Sequence, residues 1–260
     1  MGDSDKMKPT AIKKGARGAQ PKEKMAGGQG LAQISSVAEN YLVAMYTMRL
    51  DGGPVTMTRL SEQLKLTSGI ERLGTSLPSV TGMIRRMKKA GLIDLGPNKE
   101  VFFTTLGEKE AEAVFRRHQL AERMLTDIIG LELPKVNLEA HRLEHAISPE
   151  VEAKLVQRLG NPITCPFGHP IPGTGYVAPA NMARLNQVEP GTAVVVERIP
   201  EDDPQFVEYL VVNSVLPGQN MFVSEIAPYK GTLTMNVAGK EVVMGLHVAA
   251  RIWVRPVPKD

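Results

Sequence analysis

The stretch Pro78-Ser-Val-Thr-Gly-Met-Ile-Arg-Arg-Met-Lys-Lys-Ala-Gly-Leu-Ile-Asp-Leu-Gly-Pro-Asn-Lys-Glu-Val-Phe-Phe-Thr104 decides the fold of this chain. Val80, Ile84 and Met87 recur at helical spacing and make one apolar stripe. Ser79, Thr81, Arg85, Arg86, Lys88 and Lys89 take the opposite face. Pro78 suits the first turn of this helix, where a missing N–H costs nothing. Gly91-Leu-Ile-Asp-Leu95 and Val101-Phe-Phe103, separated by Gly96-Pro-Asn-Lys99, then read as a short hairpin.

Two helices precede it. Ser36-Val-Ala-Glu39 reads as a capping box, in which serine and glutamate satisfy each other's backbone donors. The helix it opens places Val37, Tyr41, Ala44, Met45 and Met48 inward, and Asp51-Gly-Gly-Pro54 stops it. A second helix follows Thr56, with Leu60 and Leu64 inward. Three helices and a ribbon describe a winged helix-turn-helix, whose third helix enters the major groove. The segment Thr67–Leu77 exceeds the usual turn of three or four residues. A longer turn and an extra helical turn both fit it. Ser79, Thr81 and Gly82 are placed to face base edges, and Arg59, Arg86 and Lys89 to hold phosphates. Pro78, Arg85 and Lys99 complete the expected DNA-contacting set. Gly82 offers no side chain, so base reading is sparse and shape-dependent.

Composition supports this class. A length of 260 residues suits two or three domains, and 42% hydrophobic residues are enough for real cores. The one cysteine, Cys165, rules out an intrachain disulfide and fits a reducing compartment. No apolar run approaches the roughly 18 residues a bilayer span requires, and no hydrophobic signal core opens the chain. A soluble, cytoplasmic protein with no membrane partner is expected. The net charge of +3 is unevenly spread. Residues 1–30 hold seven Lys/Arg against three Asp/Glu, and residues 54–93 hold seven against two. A basic segment within a near-neutral body is the asymmetry of a polyanion-binding module. The Gly-, Lys-, Ala- and Gln-rich tail, 1–33, is expected to be disordered.

Beyond the wing, Thr105-Leu-Gly-Glu108 reads as a second capping box opening a helix to about Ile129. Ala111, Val114, Ala121, Leu125 and Ile128 share one face with His118. Gly130 ends that helix, and Asn137 is expected to cap the next. Ser148-Pro149 starts another, with Val151, Leu155 and Leu159 inward. These apolar faces exceed what one small helical unit hides, so a twofold homodimer is expected. His118 and Glu122 stand at i, i+4, and His141, Glu144 and His145 at i, i+3, i+4. Such spacings share a helix face. Two such helices gather nitrogens and oxygens in one small volume, a set suited to a borderline first-row cation. His169 and His247 have no companion ligands and read as structural. Cys165 reads as a small apolar core residue, with a thiolate near the metal as the alternative. Cys165-Pro-Phe-Gly-His-Pro-Ile-Pro-Gly173 is a rigid linker. After it, Ala193–Arg198, Val207–Val212, Met221–Glu225, Leu233–Val237, Lys240–Met244 and Arg251–Val254 read as short strands of a small SH3-like barrel. The fold class is therefore mainly α with C-terminal β. Its expected divisions are a tail (1–33), a DNA-binding domain (34–106), a helical domain (107–173) and the barrel (174–260).

Arg116-Arg-His-Gln-Leu-Ala-Glu-Arg-Met-Leu-Thr-Asp-Ile-Ile-Gly130, Glu144-His145 and Pro166-Phe-Gly-His-Pro-Ile-Pro172 resemble the diphtheria toxin repressor and its relatives, the iron- and manganese-dependent transcription regulators. The resemblance is close over 36–173 and looser beyond, where the family carries an SH3-like, FeoA-type domain. It implies homodimers that bind double-stranded operator DNA when Fe2+ or Mn2+ occupies sites between the domains. The primary site it implies is Asn40, His141, Glu144 and His145. Iron-type members have methionine and cysteine in place of Asn40 and His141, and manganese-type members have carboxylates at both. The second site it implies falls on His118 and Glu122, with a further histidine position matching Asn137, and with Glu201, Asp202 and Asp203 nearest the barrel-derived ligands. The family's anion-binding arginine and asparagine correspond to Gln119 and His169. Two rivals remain. One is a metal-independent winged-helix regulator with a structural histidine cluster. The other reads His141-Arg-Leu-Glu144-His145 as the H-x-x-E-H signature of a zinc peptidase, which leaves the winged helix without a role; no enzyme is expected.

Overall fold

The computed structural model describes residues 34–67 and 74–257. The expected disordered tail and most of the Thr67–Leu77 interval lie outside the described residues. The first three helices are α1 (Ser36–Leu50), α2 (Met57–Thr67) and α3 (Leu77–Lys89). The wing pairs β1 (Ile93–Leu95) with β2 (Val101–Phe103), in the register Ile93↔Phe103. Ser35, one residue before the expected cap, closes α1 by accepting from the Ala38 amide at 3.3 Å. Ser76 caps α3, and the segment leading into it is pinned by two backbone acceptors. The Tyr41 hydroxyl donates to Gly74 O at 3.1 Å, and the Ser61 hydroxyl to Thr75 O at 2.5 Å.

The helical domain comprises α4 (Thr105–Arg123), α5 (Leu133–Leu143) and α6 (Pro149–Arg158). The cap of α4 is Thr104, not Thr105. After Arg123 the chain continues as a π-helical turn, Met124–Ile129, and Gly130 ends it at φ 76°, a left-handed geometry glycine adopts without strain. The α5 helix starts at Leu133 with Pro134 in its first turn, so Asn137 lies inside it and does not cap it. Leu155 and Leu159 are half-buried and Val151 is exposed, so α6 does not turn a buried face inward within one chain.

The C-terminal domain holds β3 (Ala183–Arg184), β4 (Thr192–Arg198), α7 (Pro204–Val212), β5 (Asn220–Ala227), β6 (Thr232–Val237), β7 (Lys240–Gly245), α8 (Leu246–Ala249) and β8 (Trp253–Pro256). Its antiparallel sheet runs β3-β8-β4-β5-β6-β7. The SH3-like class stands, but among the described residues the edge strands β3 and β7 do not pair, so the sheet stays open. Val207–Val212 is helix, not strand. Asp203 accepts from the Phe206 amide at 3.0 Å, Pro204 presets the first turn, and Phe206, Val207 and Leu210 bury one helical face. Local capping outweighs the strand preference of valine.

Two cores meet at α4. Tyr41, Leu42, Met45, Leu60, Val80, Ile84, Met87 and Ile93 pack with Ala111, Val114 and Phe115 of α4. One turn further along, Ala121 and Leu125 join Val136, Ala140, Cys165 and Phe167 to the core of the β domain. The Pro-rich linker is thus a buried seam. No described helix is long and apolar enough to cross a membrane. At the join between wing and α4, a Cβ on Gly107 would lie 1.7 Å from Leu92 O, a backbone atom that cannot rotate away. Gly107→Ala should therefore cost about 1–3 kcal/mol. Gly82→Ala, with nothing within 4 Å of the new carbon, should be neutral or stabilising by up to about 1 kcal/mol. Chemical denaturation of the two variants checks the contrast.

Candidate metal centre

The i, i+4 spacing on α4, and the i, i+3 step from His141 of α5 to Glu144 in the 3-10 turn that follows it (Glu144–Ala146), bring His118, Glu122, His141 and Glu144 into one buried cluster. His118 lies at its middle. Its Nδ1 is 2.6 Å from Glu144 Oε2 and its Nε2 is 3.2 Å from Glu122 Oε1. His141 Nδ1 stands 3.4 Å from Glu144 Oε2, and His145 Nε2 stands 3.4 Å from Glu144 Oε1. The two groups of residues that the sequence separates are therefore continuous through His118. Ligand atoms of His118, His141 and Glu144 lie within 4.8 Å of one another, as do those of His118, Glu122 and Glu201.

The other expected residues divide. Asn40 of α1 is buried and shares the wall of an adjoining cavity with His141, His169 and Glu201. Glu201 is brought to the cluster. Asp202 is not: it pairs with Arg251 and accepts from Gln63 at 3.4 Å. Asn137, expected to be a cap, lies inside the cluster with Nδ2 3.3 Å from His118 Nε2 and 3.4 Å from Glu122 Oε1. Sequence reasoning missed Glu39. Its Oε2 lies 2.6 Å from His145 Nδ1 and its Oε1 2.7 Å from Arg117, which also donates to Glu144 O at 2.9 Å. A carboxylate on the far nitrogen of a ligating histidine fixes its ring and tautomer. The glutamate's place in an apparent capping box concealed that role.

Burial alone would depress the His118 pKa, but the Glu122 and Glu144 carboxylates outweigh it and hold it well above 6.5. Burial opposes ionisation of Glu144, yet His141 and His118 lower it to about 2. Burial, then the Glu122 charge, pushes Glu201 well above 4.5. Burial, then the charges of Glu122 and Glu201, raise the Cys165 thiol, which is buried beside the cluster. The donor set is thus imidazole and carboxylate. Glu144 Oε1, Glu122 Oε2 and Glu201 Oε2 are buried without a hydrogen-bond partner. Orphaned, buried acceptors of this kind fit a divalent first-row cation.

On the surface, Pro78, Ser79, Arg85, Arg86 and Lys89 are exposed along α3, with Thr81 and Gly82 half-buried between them and Lys99 exposed at the wing tip. Arg59 stands apart. Its guanidinium donates to Pro54 O at 2.7 Å and lines the interdomain cavity, which no α3 residue lines. Ile128, Ile129, Val151 and Ile163 leave apolar surface exposed on the helical domain.

Residues 33–101 match the iron-dependent repressor N-terminal DNA-binding domain. Residues 104–173 match the iron-dependent repressor metal-binding and dimerisation domain, and residues 183–256 the FeoA domain. The iron-dependent repressor IdeR of Mycobacterium leprae is 35% identical over 230 residues, covering 84% of this chain and 95% of that protein. This chain belongs to the iron-dependent repressor family. The diphtheria toxin repressor of Corynebacterium diphtheriae is 36% identical over 165 residues, 64% of this chain and 68% of that one. A manganese-dependent transcriptional repressor solved in complex with manganese superposes with a TM-score of 0.75 at 29% identity, over 85% of this chain and all of the other. Members of the iron-dependent repressor family are DNA-binding transcription regulators and not enzymes, so the peptidase reading of His141–His145 falls.

Two outcomes follow from the geometry. Glu39→Gln should weaken Mn2+ binding by about 10–100-fold, read by calorimetry, while leaving the fold intact. His118, with its folded pKa raised, contributes stability that is complete below about 6.5 and lost as pH rises through its raised value. Ligation requires that proton to leave. Mn2+ binding at pH 7 should therefore release protons, seen as a dependence of the binding heat on buffer ionisation enthalpy, and affinity should already fall as pH drops toward 7.

Proposed function

We propose that this chain is a cytoplasmic repressor that binds a duplex operator as a homodimer when loaded with Fe2+ or Mn2+. The observation that carries the reading is the convergence of three domains on one buried cluster. Glu39 and Asn40 come from the helix that opens the DNA-binding domain, His118 to His145 from the helical domain, and Glu201 from the C-terminal domain. We assign Asn40, His141, Glu144 and His145 to a primary site, and His118, Glu122 and Glu201 to a second. Asp202 is left to its ion pair with Arg251.

A bound divalent cation supplies positive charge among carboxylates that otherwise rely on protons for neutrality. The chain's own residues turn that into geometry. Glu39 orients the His145 ring, and Arg117 ties Glu39 to the Glu144 carbonyl, so α1 is held at a defined angle to α4 and α5. Because α1 packs in one core with α2 and α3, fixing it fixes the recognition helix. In a twofold dimer this sets the two recognition helices to enter successive major grooves, about 34 Å apart. Ser79, Thr81 and Gly82 then meet base edges, and Arg86 and Lys89 the phosphates. The apolar surface around Ile128, Ile129 and Val151 is what the second copy covers.

Fluorescence anisotropy of promoter DNA, with chelated and with Mn2+- or Fe2+-loaded protein, tests this against the metal-independent rival. Loaded protein should bind about 5–150-fold more tightly, the range of ordinary allosteric coupling. His145→Ala should lose that increment and keep only weak, salt-sensitive binding. Equal affinity of chelated and loaded protein would reject the reading.

A further inference from the structure

A cavity of about 350 Å³ lies where α1, α2 and α5 meet the C-terminal domain, and His169 and Glu201 share its wall. His169 comes from the linker, outside the residues assigned to either site. It is 3% exposed, and neither ring nitrogen has a hydrogen-bond partner of good geometry. Its Nε2 stands 3.4 Å from Glu201 Oε2, itself an orphaned buried oxygen. Two adjacent buried polar atoms that both lack a bond cost stability unless something satisfies them together.

We propose that His169 is a further ligand of the second cation site, entering it through Nε2 on the side of Glu201. The proposal rests on the reading of that cluster as a cation site. Three ligand atoms within 4.8 Å of one another leave a coordination shell incomplete, since first-row divalent cations take four to six donors. Asn137 is engaged within the cluster itself, its side-chain amide 3.3 Å from His118 Nε2 and 3.4 Å from Glu122 Oε1. The linker holds His169 in place. Cys165 N donates to His169 O at 2.9 Å, and Gly168 N to Cys165 O at 3.0 Å. Gly168, at φ 86°, presses so close to β4 that a Cβ there would lie 2.0 Å from Glu197 O.

Calorimetric titration of the full chain with Mn2+ alone, and proton NMR of the Co2+-loaded protein, test this without reference to DNA. Wild type should bind two equivalents. His169→Ala should weaken the second at least about tenfold, leave the first unchanged, and remove one hyperfine-shifted imidazole signal. His169→Gln, which keeps a neutral polar side chain in the buried position, should show the same loss if the alanine variant folds poorly. Retention of both equivalents and of every shifted signal in either variant would overturn the role of His169 alone. Failure of wild type to bind a second equivalent would overturn the cluster as a site, and His169 with it.

Discussion

Glu122, Glu144 and Glu201 are buried together with His118 and His141, and carboxylates removed from water cannot remain charged side by side without compensation. That compensation is protonic. The Glu122 and Glu144 carboxylates favour the charged form of His118, His141 and His118 favour the ionised form of Glu144, and burial favours the neutral form of Glu201. The rest of the molecule is arranged around this exchange of charge. On the proposed reading a cation entering the cluster competes with those protons, so metal sensing and pH sensing become one equilibrium read in two ways.

The charge cluster also decides where domains sit. Glu201 reaches it only if the C-terminal domain docks on the end of α1, and a second set of contacts secures that docking. The Arg184 guanidinium stacks 3.9 Å from the centre of the Trp253 ring and donates to Asp51 O at 2.8 Å. Arg198 lies 5.0 Å from the centre of the same ring and 3.5 Å from the Asp51 carboxylate. The stop signal Asp51-Gly-Gly-Pro54 therefore does more than end a helix. It offers an anionic, carbonyl-rich surface to two arginines carried on β3 and β4. The same helix that presents Glu39 and Asn40 to the metal ligands is gripped at its other end by the domain that supplies Glu201. Any displacement of α1 is thus felt at both ends.

Much of this was legible from residue spacing. The winged helix, its basic third helix, the hairpin and the i, i+3, i+4 histidine–carboxylate spacings all follow from local periodicity, and the structure places them as read. Local signals also misled. Ser36-Val-Ala-Glu39 has the pattern of a capping box, but Ser35 caps the helix and Glu39 serves His145, 106 residues away. Asn137 has the chemistry of a cap, but Pro134 starts α5 earlier and carries Asn137 into the cluster. Val207–Val212 has strand composition, but Asp203 and Pro204 impose a helix. In the first two cases a side chain has two competent partners, and the tertiary one prevails over the nearer one.

The sequence by itself determined most classes of element, the faces on which the histidines and carboxylates stand, and the resemblance to metal-dependent regulators, because each depends on neighbours within a few residues. Tertiary structure alone decided that the two ligand groups are one network through His118, that Glu201 joins it while Asp202 does not, and that His169 faces it from the linker. Those facts depend on which helix faces and which loop close on one another across tens of residues. Spacing along the chain carries no record of that closure. Desolvation does, because only a packed interior forces distant charged groups to answer to each other.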